Sequence, residues 1–162
     1  MGMTCEVFIV PAQTAQELVA DPSGVHDVIT HLEGSENALS LEKSWHGLHY
    51  VLTGTAWEGK PPLNFIAGGG EPLSDNADPF ESARMFPPTD VQAMHAALGA
   101  FSDEDFERNF DLHGLTTADI YPQIWDEPLE DLRQEYQFYF QALRKHVQRA
   151  AESGQALLIA IV

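Results

Sequence analysis

The segment 45–54 holds the densest group of chemically useful side chains in this chain. It contains the indole of Trp45, the imidazoles of His46 and His49, and the phenol of Tyr50. Histidine titrates near neutral pH and therefore serves as an acid, a base or a metal ligand. Two imidazoles three residues apart supply too few ligands for zinc, and neither H-E-x-x-H nor H-x-x-E-H occurs. We therefore expect no metal and no cofactor, and we assign no catalytic residue.

Two interpretations of this segment stay open. A helix over 41–52 would place Trp45 and His49 on its apolar face, where one backbone hydrogen bond satisfies a core imidazole. Alternatively, the same rings line a small-molecule pocket. A concave pocket that exposes both rings favours the pocket, whereas burial of both favours the core. The candidate binding residues are Trp45, His49, Tyr50, Arg84, Tyr121 and Trp125.

Three of these candidates lie outside the segment 45–54. Arg84 is one of few cations in an acidic region, so we expect it to pair with a carboxylate or to hold an anionic ligand near Gly70. Tyr121 and Trp125 flank Pro122, and aromatic rings around such a turn cover either a core edge or an exposed groove.

The charge balance is strongly acidic. There are 25 Asp and Glu against eight Lys and Arg, which gives a net charge of −17. Such a surface repels phosphate, so we expect no nucleic-acid partner. The simplest explanation of this negative charge is solubility. The charge is also compatible with binding of a basic protein partner or with mimicry of DNA. With no catalytic signature, the sequence favours a non-catalytic interaction protein; the alternative is a small-molecule binder or enzyme.

The length and the apolar pattern constrain the class of protein. A chain of 162 residues fits a single domain over 1–162. The first residues lack the basic region of a signal peptide, and no apolar run approaches the roughly 20 residues of a membrane span. The single cysteine, Cys5, excludes an internal disulfide and fits a reducing compartment. We expect a cytoplasmic protein without membrane association, and its oligomeric state stays open.

The order of apolar and polar segments predicts a compact α+β domain, with a small mixed sheet packed by several helices. We expect the strand Cys5–Val10 and a C-terminal strand at 156–162 to share the sheet. The C-terminal run is apolar on both faces, which is typical of a central strand. Further strands are predicted at 63–67 and 83–86, with a polar loop at 71–81 between them.

Helical periodicity accounts for most of the remaining chain. Helices are predicted to begin near residues 14, 23, 41, 88, 103 and 129. Ser102 is expected to cap the fifth, which has three acids in its first turn. The last is the longest, and its apolar stripe consists of Leu132, Tyr136, Tyr139, Leu143 and Val147.

The chain resembles the small bacterial proteins of the domain-of-unknown-function 1877 family, also called YfbM-like. The specific part of the resemblance is the pattern Trp45-x-x-Leu48-His49-x-x-Leu52-Thr53-Gly54, preceded by Lys43. The opening Met-Gly-Met, the turn Ile120-Tyr121-Pro122 and the aliphatic C-terminal strand support it. The resemblance implies a soluble domain with helices and a sheet, and it supplies no catalytic residues.

Overall fold

The computed structural model describes residues 2–73 and 83–162, and it has the expected α+β architecture. Most of the predicted loop 71–81 lies outside the described residues. A 3₁₀ turn at Pro22–Gly24 precedes the second helix. The elements in chain order are β1 Cys5–Val10, α1 Ala12–Ala20, α2 Val25–Leu32, β2 Ala38–Glu42, α3 Trp45–Thr53, β3 Glu71–Pro72, β4 Arg84–Phe86, α4 Pro88–Ala100, α5 Asp103–Asn109, α6 Leu112–Thr117, α7 Leu129–Glu152 and β5 Ala156–Ile161.

The described strands form one sheet in the order β2-β1-β5-β4-β3. The two terminal strands are direct neighbours, with Val7 opposite Ile159. Every pairing in this sheet is antiparallel, whereas a mixed sheet was expected. Strand direction follows from how the connections run in space, which hydrophobic patterning does not encode.

The sheet separates two cores of different size. The larger lies on the side of α3 to α7 and receives Leu157 and Ile159 from β5. The smaller lies under α1 and α2 and receives Ala156, Leu158 and Ala160 from the same strand. Alternate residues of a strand point to opposite faces, so a strand between two cores must be apolar throughout. This explains the C-terminal run; Ile161, at the end of the strand, is only partly buried.

The long helix α7 packs onto the larger core through most of the predicted stripe. Leu132, Tyr136, Leu143 and Val147 are at most 1 % exposed. Tyr139 is only half-buried, and its neighbour Phe140 is fully buried instead. Ser102 caps α5 as predicted, and the structure adds a capping box: Ser102 Oγ accepts from the Asp105 amide while the Asp105 carboxylate accepts from the Ser102 amide.

Two sequence predictions are wrong in their boundaries or type. Leu41 belongs to β2, and α3 begins only at Trp45. The spacing of four between Leu41 and Trp45 mimics a helical repeat, although a turn separates them in which Ser44 Oγ donates to the Leu41 carbonyl. The predicted C-terminal end of this helix is confirmed, because Gly54 follows α3 in the left-handed conformation with φ of 76°.

The segment 63–67 is a series of turns and not a strand. Its apolar side chains Phe65 and Ile66 are 1 % and 0 % exposed, so burial in the larger core accounts for their character. Short apolar runs cannot be assigned to a strand from periodicity alone.

Gly47, in the middle of α3, is required by close packing. A β-carbon there would lie 2.5 Å from Cε2 of Tyr136 and 3.2 Å from Cη2 of Trp125. Overpacking costs about 1–3 kcal/mol, and alanine returns about 1 kcal/mol of helix propensity. We therefore expect Gly47→Ala to lower the free energy of unfolding in urea by about 1 kcal/mol.

The matched control is Gly99→Ala in α4, where a β-carbon meets nothing within 4 Å. This change is expected to stabilise by up to about 1 kcal/mol. Equal stabilisation by both substitutions would contradict the close contact at Gly47.

Candidate functional site

The indole of Trp45 lies inside an aromatic cluster at the start of α3. Its ring centroid is 5.1 Å from His46, 5.8 Å from Tyr121 and 6.0 Å from Trp57. Its Nε1 donates a hydrogen bond of 3.1 Å to the carbonyl of Met3. The indole is 1 % exposed, so its donor and both its faces are used within the protein.

His46 joins three distant segments through its ring nitrogens. The backbone N–H of Tyr121 donates to Nδ1 at 2.9 Å, so Nε2 carries the proton and donates to the Ala56 carbonyl at 2.8 Å. A protonated ring would turn Nδ1 into a second donor facing the Tyr121 N–H. Burial lowers the pKa of His46, which agrees with a neutral ring held by this network. Trp57 covers the ring at a centroid distance of 4.2 Å.

His49 is a core residue with one satisfied nitrogen. Its Nε2 lies 2.8 Å from the Glu58 carbonyl, and the side chain is 0 % exposed. Its Nδ1 has no hydrogen-bond partner within the described part of the chain. Burial, together with the neighbouring His46 and Arg84, lowers the pKa of His49 to about 4. A neutral imidazole donating to a carbonyl is the arrangement predicted for a core histidine.

Arg84 binds backbone oxygens instead of the expected carboxylate. Its Nη1 donates to the carbonyls of Phe65, Gly68 and Gly69, and its Nη2 donates to that of Ile66. No ion pair joins Arg84 to a carboxylate of the residues described. The guanidinium therefore organises the turns at 63–69, which explains why these carbonyls need no strand partner.

The remaining candidates are distributed over two aromatic clusters. Tyr121 accepts a hydrogen bond from the Met3 amide and packs on Trp45. Trp125 donates to the Ile120 carbonyl and packs on Tyr136 at 5.4 Å. Tyr50 is half-buried beside the larger core. The structure thus brings Trp45 and Tyr121 together and places Trp125 in a separate cluster; whether any of the six binds a ligand stays a prediction.

A cleft that sequence reasoning missed lies between α1 and the start of α4. Its volume is about 630 Å³. Two exposed carboxylates, Glu71 and Asp90, border a lining that is otherwise mostly apolar. The lining residues are Ala12, Ala15, Gln16, Val19, Ala20, Gly70, Glu71, Met85, Pro87, Pro88 and Asp90. They come from three separate parts of the chain, so no local pattern marks them; we call this the acidic cleft.

Among residues 2–73 and 83–162, no basic side chain lines the acidic cleft. The ion pairs among the residues described use Asp103, Asp105, Glu107 and Glu130, all on or near α5 and α7. Glu71 and Asp90 take part in none of them. Their charges are therefore uncompensated by any basic side chain that the structure places on them.

Neither a metal centre nor a membrane span emerges from residues 2–73 and 83–162. No three His, Cys, Asp or Glu side chains in these ranges are grouped as a metal site requires. No helix in the same ranges is long and apolar enough to cross a bilayer.

Comparison with known proteins agrees with the fold. A family model described as a domain of unknown function, DUF1877, matches residues 1–160. The crystal structure of YfbM from Escherichia coli, a protein of unknown function, is similar at a TM-score of 0.73. The two share 20 % sequence identity, over 98 % of this chain and 99 % of that chain. The search of curated proteins gives no match.

Proposed function

Since the chain belongs to the DUF1877 family, whose function is unknown, we base a proposal on the surface of this chain. We propose that it is a non-catalytic binding domain for a basic protein segment. The acidic cleft is the proposed site. The observation that carries the proposal is the pair of exposed, uncompensated carboxylates on an apolar lining. A cytoplasmic location is part of the proposal, supported by the single buried cysteine.

The cleft suits a lysine or arginine side chain better than a small free cation. Such side chains have an apolar stem and a charged head, which match the apolar lining and the carboxylates. One exposed ion pair contributes only about 0.2–1 kcal/mol, so affinity needs burial of the stem as well. The net charge of −17 adds long-range attraction, which raises the association rate for a basic partner.

The alternative, a small-molecule pocket around Trp45, His49, Tyr50 and Arg84, receives less support. The rings of Trp45 and His49 are 1 % and 0 % exposed, and the guanidinium of Arg84 already has four carbonyl acceptors. Cys5 is equally unsuited to covalent chemistry, because burial raises the pKa of its thiol to about 12.

The proposal is tested by neutralising the two cleft carboxylates together. The probe is an acetylated and amidated hexalysine peptide, and its dissociation constant is measured by calorimetry at low salt. Glu71→Gln with Asp90→Asn is expected to weaken binding about tenfold, because both charge contacts are lost.

The matched control is Asp126→Asn with Glu127→Gln. It removes the same charge from two exposed carboxylates that belong to no ion pair in the described chain. Its affinity is expected to fall by less than about twofold. Equal losses in the two double variants would show diffuse attraction to the acidic surface and would reject the cleft as the site.

A further inference from the structure

A second cleft adjoins the acidic cleft and differs from it in character. Its volume is about 380 Å³. It is lined by Pro61, Pro62, Asn64, Gly69, Gly70, Phe86, Asp90, Ala93 and Met94. Within the part of the chain that the structure describes, Asp90 is the only charged residue of this lining, and most of the others are apolar. We call it the apolar cleft.

The two clefts meet at Gly70 and Asp90, which line both. Gly70 has a φ of 77°, and a β-carbon on it would lie 2.9–3.1 Å from ring atoms of Phe86. Only glycine fits this position without strain, so no side chain projects from residue 70 where the two clefts meet. A chain lying across Gly70 can therefore place one side chain in each cleft.

One cation close to the apolar cleft, Arg84, is already engaged by the protein. Arg84 lies 5.5 Å from the Phe86 ring centroid, but its guanidinium is bound to the carbonyls of the 63–69 turns. It does not line the cleft. The carboxylate of Asp90 is thus the charge that a ligand at the junction would meet, and it again selects a cation.

We propose that the partner segment is extended and carries a large aliphatic or aromatic side chain next to a lysine or arginine. This inference rests on the proposed function and adds the specificity of the site. The basic side chain lies between Glu71 and Asp90, and the apolar side chain enters the apolar cleft against Phe86 and Met94. Charge complementarity selects the basic side chain in the acidic cleft, and burial of apolar surface selects the apolar side chain in the apolar cleft.

The experiment compares two peptides on the same protein. One is hexalysine, and the other has leucine in place of its third lysine. Pure charge attraction predicts weaker binding of the leucine peptide, because it has one charge fewer. The proposal predicts that the leucine peptide binds about three- to tenfold more tightly, because the buried side chain outweighs the lost charge.

The substitution Ala93→Leu tests whether the tighter binding of the leucine peptide arises in the apolar cleft. Ala93 is exposed on α4 and lines the apolar cleft but not the acidic one, so leucine there fills the second cleft alone. The advantage of the leucine peptide should disappear, while the affinity for hexalysine stays within about twofold. Ala96→Leu is the control, since Ala96 is exposed on the same helix and lines neither cleft.

Each outcome has a distinct meaning. If hexalysine binds and the leucine peptide binds no better, the apolar subsite is rejected and the proposed function stands. If the advantage survives Ala93→Leu, the apolar side chain binds elsewhere and the inference is overturned. If neither peptide binds the wild-type protein, the proposed function itself fails, and the inference fails with it.

Discussion

Replacing Trp45 by alanine is expected to lower the free energy of unfolding by about 3–5 kcal/mol. The indole is 1 % exposed, contacts three other rings and donates to the Met3 carbonyl. Its removal leaves a cavity at the start of α3 and an unpaired carbonyl near the N-terminus. Urea denaturation followed by circular dichroism measures the loss.

Trp57→Ala is the control for this prediction. Trp57 belongs to the same aromatic cluster but is 61 % exposed, so its replacement should cost no more than about 1 kcal/mol. A loss at Trp45 as small as that at Trp57, accompanied by loss of a binding activity, would mean that Trp45 serves a ligand and not the core.

Stability is expected to fall as the pH drops from 6.5 to 5. Burial lowers the pKa of His49 and of His146 to about 4, whereas both titrate near 6.5 in an unfolded chain. Between these values the unfolded state binds more protons, so stability rises with pH in this window. Each ring should contribute about 1.5 kcal/mol of the change between pH 6.5 and 5.

Single substitutions separate the contributions of the two histidines. His49→Gln or His146→Gln should each lower stability at pH 7.5 and remove about 1.5 kcal/mol of the pH dependence, because one buried imidazole then no longer titrates. His113→Gln is the control, since the His113 ring is exposed. The prediction covers only pH 6.5 to 5. At lower pH, protonation of surface carboxylates reduces the repulsion between negative charges and has the opposite effect on stability. A stability that stays flat from pH 6.5 to 5 is incompatible with two buried neutral imidazoles.

The sequence predicted those elements whose cause is local. β5 was recognisable because its run is apolar on both faces, and α5 because Ser102 and three acids mark its start. The helical spacing was misleading at Leu41, which lies four residues before Trp45 but belongs to the strand β2. The prediction of a strand at 63–67 was wrong because Arg84, distant in the sequence, donates to the carbonyls of Phe65 and Ile66. These carbonyls therefore need no strand partner.

The candidate site was also predictable only where its contacts are local in the sequence. The core interpretation of His49 followed from its place on an apolar helical face, and its partner, the Glu58 carbonyl, lies only nine residues away. The acidic cleft combines α1, Gly70 with Glu71, and the start of α4. Glu71 and Asp90 each read as ordinary surface acids in sequence, and only the fold places them around one apolar lining.

The most direct test of a basic partner in the acidic cleft is a nuclear magnetic resonance titration of the isotope-labelled protein with hexalysine. The backbone amide signals of Gln16, Val19, Gly70, Glu71 and Asp90 should shift progressively and saturate, while those of the second half of α7 stay in place. Small shifts spread evenly over the exposed acids, or a saturating response centred on another surface, would contradict the account.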